Sequence, residues 1–261
     1  MCKYDAIIID LHHIPIYYSS RNHYPAITNV PTKTSTTILP YITSAPNSQG
    51  PLAVVKHLKL DVDNAVEIVN SAGKTRTPEF LAINPCHTCP TLELDGSDGA
   101  IWESCAIMRF LCVNNTGGDD LYPSSDPILR GKIDMVMDWR QTGLYPAFPN
   151  IAYGVFGYPT DEEDAKKQFG KLVNDLFPTL MNVYLKDTDF VYSDKPTIAD
   201  LSIAPVLTFL KCRKNFWAAV PDKVKEYHTR VLEAFPDAKE YFDMTDGMCA
   251  GYEGPGADIE P

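Results

Sequence analysis

The sequence lacks any run approaching the roughly 20 consecutive apolar residues of a membrane-spanning helix. It is also poor in positive charge. Against 34 Asp and Glu stand 23 Lys and Arg, a formal net charge of −11. That balance argues against a nucleic-acid surface or a polybasic membrane patch, while leaving room for a small basic pocket. Address signals are missing too. Residues 6–9 are apolar but too few for a signal-peptide core, Asp5 and Asp10 flank them, and there is no Arg-rich, acid-poor transit pattern. A cytoplasmic location is therefore expected. The seven cysteines are odd in number and irregular in spacing, so they read as reduced thiols rather than a disulfide framework. Cys86-His87-Thr88-Cys89 is a CxxC, but no second CxxC or His pair accompanies it, and no metal site is expected. There is no internal repeat.

What is present is an ordinary globular composition, 44% hydrophobic and 22% charged, in a 261-residue chain. That length allows one large domain or two medium ones and a full core without staples. Residues 1–35 carry Pro15, Pro25 and Pro31, which oppose regular structure, yet they are rich in Ile and Tyr. They read as an extended strap that packs on its own body or on another protein. From residue 36 the pattern is α/β. A strand over 36–42 is blemished by Pro40; a helix over 52–60 places Leu52, Val55 and Leu58 at three-residue spacing; a second strand covers 65–69. Thr77-Pro78-Glu79 opens a helix with a capping hydroxyl, a first-turn proline and an acid at the positive dipole end. Strands on either side of the loop 95–99 form a hairpin, and a helix after Trp102 buries Ile107, Phe110 and Leu111. A tight hairpin makes its strands antiparallel, and the order β-α-β-α-β-β-α is that of the thioredoxin-like fold.

Residues 114–126 read as a linker, and everything beyond is helical in pattern. Helices are predicted over 127–142, over 162–185 with Phe169, Leu172, Val173, Leu176 and Leu180 on one face and a kink at Pro178, and over 222–234. Thr197-Ile198-Ala199-Asp200 resembles a capping box before the apolar run 201–210. Residues 244–261 are acidic and Gly-rich, a composition that predicts a loose tail.

Several segments carry a more specific message. NPCHTCPTLE (84–93) resembles the loop before the cis-proline of glutathione transferases, and IWESCAI (101–107) resembles their WESRAI. GLYPAF (143–148) resembles the segment opening their hydrophobic pocket. KPTIADLSIAPVL (195–207) resembles the start of their central second-domain helix, and PDKVKEYHTRVLEAFPDAKEY (221–241) their closing helices. The match runs over residues 36–242, with the delta and theta classes nearest. It implies a thioredoxin-like glutathione-binding domain with a mixed four-stranded sheet at 36–113, the linker at 114–126, and an all-α domain at 127–243. It also implies a soluble cytosolic detoxification enzyme that is homodimeric through the helices after Trp102 and Pro127. Glutathione would be its co-substrate, with no further cofactor.

Site residues follow from the same resemblance. Pro90, in cis, would turn the backbone N–H and C=O of Cys89 outward to pair with glutathione as an added strand. Glu103 and Ser104, at a helix N-terminus, would hold the γ-glutamyl ammonium and carboxylate, and His87 the glycyl carboxylate. Of the aromatic group Tyr145, Phe148, Tyr153 and Phe156, the first two are taken as lining the electrophile pocket. The chemistry needs a thiolate. A free thiol has a pKa of about 8.5, and lowering it by about two units requires roughly 2.7 kcal/mol. One hydroxyl donating to the anion supplies about 1.5–3 kcal/mol. In delta and theta members that hydroxyl is a serine at the end of the first strand, which matches Ser44, with Thr43 and Ser48 as rivals.

The chain also departs from the family pattern. It reads SAPNSQGP where the family continues Ser-x-Pro-Cys-Arg, with one extra residue and no arginine, and Cys105 replaces the arginine of WESRAI. Pro51 fits the first position of the helix that follows. Two other functions stay open on this basis. One is a non-catalytic glutathione-transferase-fold subunit, held in a larger assembly by the strap. The other is a thiol-disulfide reductase using Cys86 or Cys89, although a redox CxxC in this fold belongs after the first strand.

Overall fold

A computed structural model of the chain describes residues 39–42, 45–60, 66–67, 74–93 and 99–261. The strap at 1–35, Thr43 and Ser44, and the hairpin tip at 95–98 lie outside the described residues. The first described strand, β1 (Leu39–Ile42), pairs in parallel with β2 (Val66–Glu67) and antiparallel with β3 (Thr91–Glu93). β3 in turn pairs antiparallel with β4 (Ala100–Trp102), so the sheet order is β2-β1-β3-β4. Pro40 faces Leu92 of β3, and the β2 ladder starts one residue later, at Tyr41.

Helix α1 runs Pro46–His57, starting earlier than the apolar spacing predicts. Ala45 is extended, and Pro46, not Pro51, takes the first helical position. Pro51 lies inside the helix, and Gly50 beside it has a packing reason. A Cβ on Gly50 would stand 2.8 Å from the carbonyl oxygen of Leu201 and 2.9 Å from Sδ of Met108. The departure from the family pattern is thus where α1 presses against two other helices. Helix α2 (Pro78–Ile83) starts as predicted, with the Thr77 hydroxyl accepting from the Phe80 N–H. Helix α3 (Ser104–Asn114) buries Ile107, Met108 and Leu111.

The helical part begins with α4 (Pro127–Trp139), capped by the Asp126 carboxylate on the N–H groups of Ile128 and Leu129. It does not stop at Trp139. A π-turn over Arg140–Leu144 and a 3-10 turn over Tyr145–Ala147 carry the chain on. Helix α5 (Glu162–Lys171) likewise continues through π-turns Leu172–Leu176 and Leu180–Tyr184, which bracket Pro178. Wide turns of this kind absorb a missing helical donor. Helix α6 (Ile198–Thr208) is buried along its whole length, as expected of a helix apolar on all sides. Its capping box is real: the Asp200 carboxylate accepts from the Thr197 N–H at 2.8 Å and its hydroxyl at 3.0 Å. Asp is shorter than the Glu of the usual box, but it also takes the Val191 N–H and the Tyr227 hydroxyl, both at 2.9 Å.

After α7 (Asp222–Glu233) comes α8 (Lys239–Ala250). This corrects the expectation of a loose tail over 244–261. The helix reaches Ala250, and the residues beyond it are tied down. The buried Arg213 guanidinium donates to the carbonyls of Pro255 and Ile151, both at 2.8 Å. The Lys214 N–H donates to the Ala257 carbonyl at 3.1 Å. Composition registers only the tail's own polarity, not the donors waiting for it.

Candidate functional site

The loop between α2 and β3 is set by one buried side chain. The amide of Asn84 donates to the carbonyl of Thr88 at 3.0 Å and the hydroxyl of Thr91 at 2.8 Å, while its oxygen accepts from the Cys86 N–H at 2.9 Å. Held this way, the loop presents His87 in the left-handed region (φ 46°) and a cis Cys89–Pro90 bond. Among the described residues, the N–H and C=O of Cys89 meet no hydrogen-bond partner. At the other side, β4 breaks into α3 at Glu103, whose φ of 73° is also in the left-handed region. A non-glycine residue held there stores roughly 1–3 kcal/mol of strain, a condition that clusters at functional sites. The corner leaves the N-terminus of α3, at Ser104, facing the same space.

That space is a cleft of about 930 Å³. Its first wall contains His87, Cys89, Pro90, Glu103 and Ser104, with Ala45, Pro46 and Asn47 from the start of α1. Five of the residues singled out in sequence are therefore brought together. Its second wall comes from the helical part: Gln141 and Tyr145 from the irregular turns after α4, then Tyr153 and Phe156, and Met248 of α8. Tyr145 is where the sequence expectation puts it. Phe148 is not: it is 1% exposed and packs in the core. The 3-10 turn Tyr145–Ala147 and the new short helix Pro149–Ala152 redirect the chain there, so a position three residues on turns inward. Of the aromatic group, Tyr153 and Phe156 are the ones that share the cleft with Tyr145.

The candidate hydroxyls separate as well. Ser48 is fully buried and its oxygen has no hydrogen-bond partner among the described residues, so it does not reach the cleft. Ser44 and Thr43 lie outside the described residues, although the adjoining Ala45 and Pro46 line the cleft. The thiol of Cys89 is pushed up to about 11 by burial, and Cys86 is exposed on the surface. A thiol that resists ionisation is a poor redox nucleophile. Among the described residues no group of three or more His, Cys, Asp or Glu could hold a metal.

Sequence reasoning missed a polar cluster behind the second wall. Arg140 is 2% exposed. Its guanidinium donates to the Ser202 carbonyl at 3.0 Å and to the side-chain oxygens of Gln141 and Asn47, and it stacks 4.3 Å from the centre of the Tyr145 ring. Asn47 donates to the Tyr145 hydroxyl at 2.8 Å, which lies 2.7 Å from that of Tyr153. The signal available in sequence was slight: an arginine at the end of an amphipathic helix reads as a solvated cation.

Family models match this chain in two blocks: the N-terminal domain of glutathione S-transferases over residues 45–113, and their C-terminal domain over residues 150–244. The chain belongs to the glutathione S-transferase family. Solved structures agree. A delta-class glutathione transferase of Nilaparvata lugens is 26% identical, over 81% of this chain and 99% of its own, with a TM-score of 0.63. A glutathione transferase of Bombyx mori is 25% identical, over 82% and 96%, with a TM-score of 0.64. Human glutathione transferase theta-2, solved with glutathione, is 19% identical over 84% and 95%; its TM-score of 0.68 supports the fold. In this chain the thioredoxin-like part contributes the first wall of the cleft and the helical part the second.

Proposed function

We propose that the chain is a glutathione transferase that joins the glutathione thiolate to an apolar electrophile. The observation carrying this reading is the convergence of His87, Cys89, Pro90, Glu103 and Ser104 on one wall of a single cleft, opposite an aromatic wall. Glutathione lies along the first wall. Its cysteinyl unit pairs with the Cys89 backbone, its γ-glutamyl carboxylate sits at the α3 N-terminus with the Ser104 hydroxyl, its ammonium meets Glu103, and its glycyl carboxylate meets His87. The thiol then falls near the start of α1, where the Ser44 hydroxyl donates to the thiolate. The electrophile rests against Tyr145, Tyr153 and Phe156, and no further cofactor takes part.

A cytoplasmic, homodimeric detoxification enzyme is the corresponding cellular reading. It accords with the absence, among the described residues, of any helix long and apolar enough to cross a membrane. It also accords with exposed Val113 on α3 and Ile128 and Met135 on α4, apolar side chains on the two helices through which dimerisation is expected. Beyond the departures of 44–51 and Cys105 from the family pattern, nothing among the described residues favours the rival reading, a non-catalytic subunit anchored by the strap. The test is calorimetric titration with glutathione together with a thiol-conjugation assay on the chain and on Ser44→Ala. Binding with turnover that collapses in Ser44→Ala supports the proposal. Absence of binding at millimolar glutathione contradicts it.

A further inference from the structure

Two thiols meet where α8 packs on the helical part. Cys212 closes the 3-10 turn Phe209–Cys212 that follows α6, and Cys249 lies in the last turn of α8. α8 packs along that turn, and both side chains are buried, at 1% and 0% exposure. The sulfurs are unlinked and hydrogen-bond to one another. Their register is pinned from both sides. Lys211, next to Cys212, pairs with Asp246, which stands one turn before Cys249 in α8. On the other side of Cys212, the Arg213 guanidinium and the Lys214 N–H hold the carbonyls of Pro255 and Ala257, beyond α8. α8 also reaches the cleft, because Met248, beside Cys249, lines it. The Gln49 amide donates to the Tyr241 carbonyl at 3.1 Å and to the Thr245 hydroxyl, and Lys56 pairs with Glu240 at 3.2 Å. α8 is thereby tied to α1, whose first residues line the cleft too.

We propose that Cys212 and Cys249 are an oxidation site, a dithiol that a small disulfide such as glutathione disulfide converts into a cross-link fastening α8 to the helical part. While α8 is docked the pair is unreactive. The bond to Cys212, and then burial, hold the Cys249 thiol above its ordinary pKa, and only a thiolate attacks a disulfide. Local opening of α8 exposes both sulfurs. One thiol then gives its proton to water and attacks a sulfur of glutathione disulfide. The S–S bond breaks, and the departing glutathione thiolate takes up a proton. The second protein thiol, brought close by the return of α8, is deprotonated in turn and attacks the protein sulfur of the mixed disulfide, releasing a second glutathione. The protein loses two electrons and two protons, and one glutathione disulfide becomes two glutathione thiols. A reducing compartment keeps the dithiol, so the link reports an oxidised pool. It closes a loop over residues 212–249 and holds Met248 at the cleft. Glutathione disulfide acts here as an oxidant and not as an occupant of the cleft, so the transferase reading is not required.

The test uses the full chain. It is equilibrated in glutathione buffers of rising disulfide share, with and without dilute urea to favour opening. Free thiols are then blocked, and the chain is digested without reduction and mapped by mass spectrometry. The expected product is a peptide joining Cys212 to Cys249, formed faster in dilute urea. The linked chain should melt about 5–10 °C higher, an effect reversed by dithiothreitol. Its α8 amides should exchange hydrogen about tenfold more slowly. Cys212→Ser and Cys249→Ser should each lose the shift on oxidation. If a serine variant fails to fold, the peptide map and melting of the unaltered chain decide. Failure to link even after refolding in glutathione disulfide overturns the proposal. So does a link from either residue to a different cysteine, a melting shift that survives either serine, or a link that leaves melting and α8 exchange unchanged.

Discussion

His228 is 2% exposed, its Nε2 lies 2.8 Å from the Thr208 hydroxyl, and the Trp217 ring packs on it edge-on. Burial, with a smaller push from Lys211, lowers its pKa to about 3, while Asp246 acts in the opposite sense. The folded state therefore prefers the neutral ring. Between the unfolded value of about 6.5 and the folded value of about 3, the unfolded chain binds more protons, and stability falls as pH falls. The expected slope from this one residue is about 1.4 kcal/mol per pH unit within that window. Urea unfolding of the chain and of His228→Gln at several pH values checks it: the variant should be flatter with pH, and parallel curves would rule the residue out. Asp200 makes a second test. Burial pushes its pKa up and four donors pull it down. Asp200→Ala leaves those donors unpaired in the core and should cost about 3 kcal/mol or more, read as a lower urea midpoint. The capping role of Asp200 was legible from Thr197-Ile198-Ala199-Asp200, because it depends on neighbours in sequence. The bonds to Val191 and Tyr227 were not, because they depend on how the turn at 190–193 and α7 pack against α6.

At the scale of elements, α1 meets α3 and α6 in a close junction at Gly50. Gly50→Ala drives a methyl against the Leu201 carbonyl and the Met108 sulfur. Only the sulfur can give way, so the expected cost is about 1–3 kcal/mol. For a chain this long that amounts to a melting shift of several degrees, about 2–4 °C per kcal/mol. An unchanged melting temperature would show that α1 does not approach α6 this closely. Read as sequence, the Gly-Pro pair pointed to a helix starting at Pro51, because local signals cannot weigh the partner helix that makes a glycine necessary. The strand-to-helix corner at Ser104 and the loop around Pro90 were legible through the resemblance carried by residues 84–93 and 101–107. The turn that sends Phe148 inward and Tyr153 outward was not, because π- and 3-10 turns shift the helical period on which such a reading depends.

At the scale of the whole molecule, two parts of different architecture meet around one cleft, and an apolar strip is left outside. Val113, Ile128 and Met135 are 60%, 73% and 46% exposed, and Ile128 and Met135 are two turns apart on the same face of α4. If the chain dimerises there, Ile128→Glu with Met135→Glu should give a monomer by sedimentation velocity, with secondary structure kept. A dimer that persists would place the interface elsewhere. The fold and the first wall could be read from motifs. The second wall, with its buried Arg140 cluster, emerged only from packing between residues far apart in the chain. The most direct test of the central claim remains glutathione calorimetry, paired with conjugation by the chain and by Ser44→Ala. The account predicts binding to both proteins and turnover in the variant reduced by about tenfold or more, the loss of one hydrogen bond to a thiolate. No heat at millimolar glutathione, or turnover indifferent to Ser44, would contradict it.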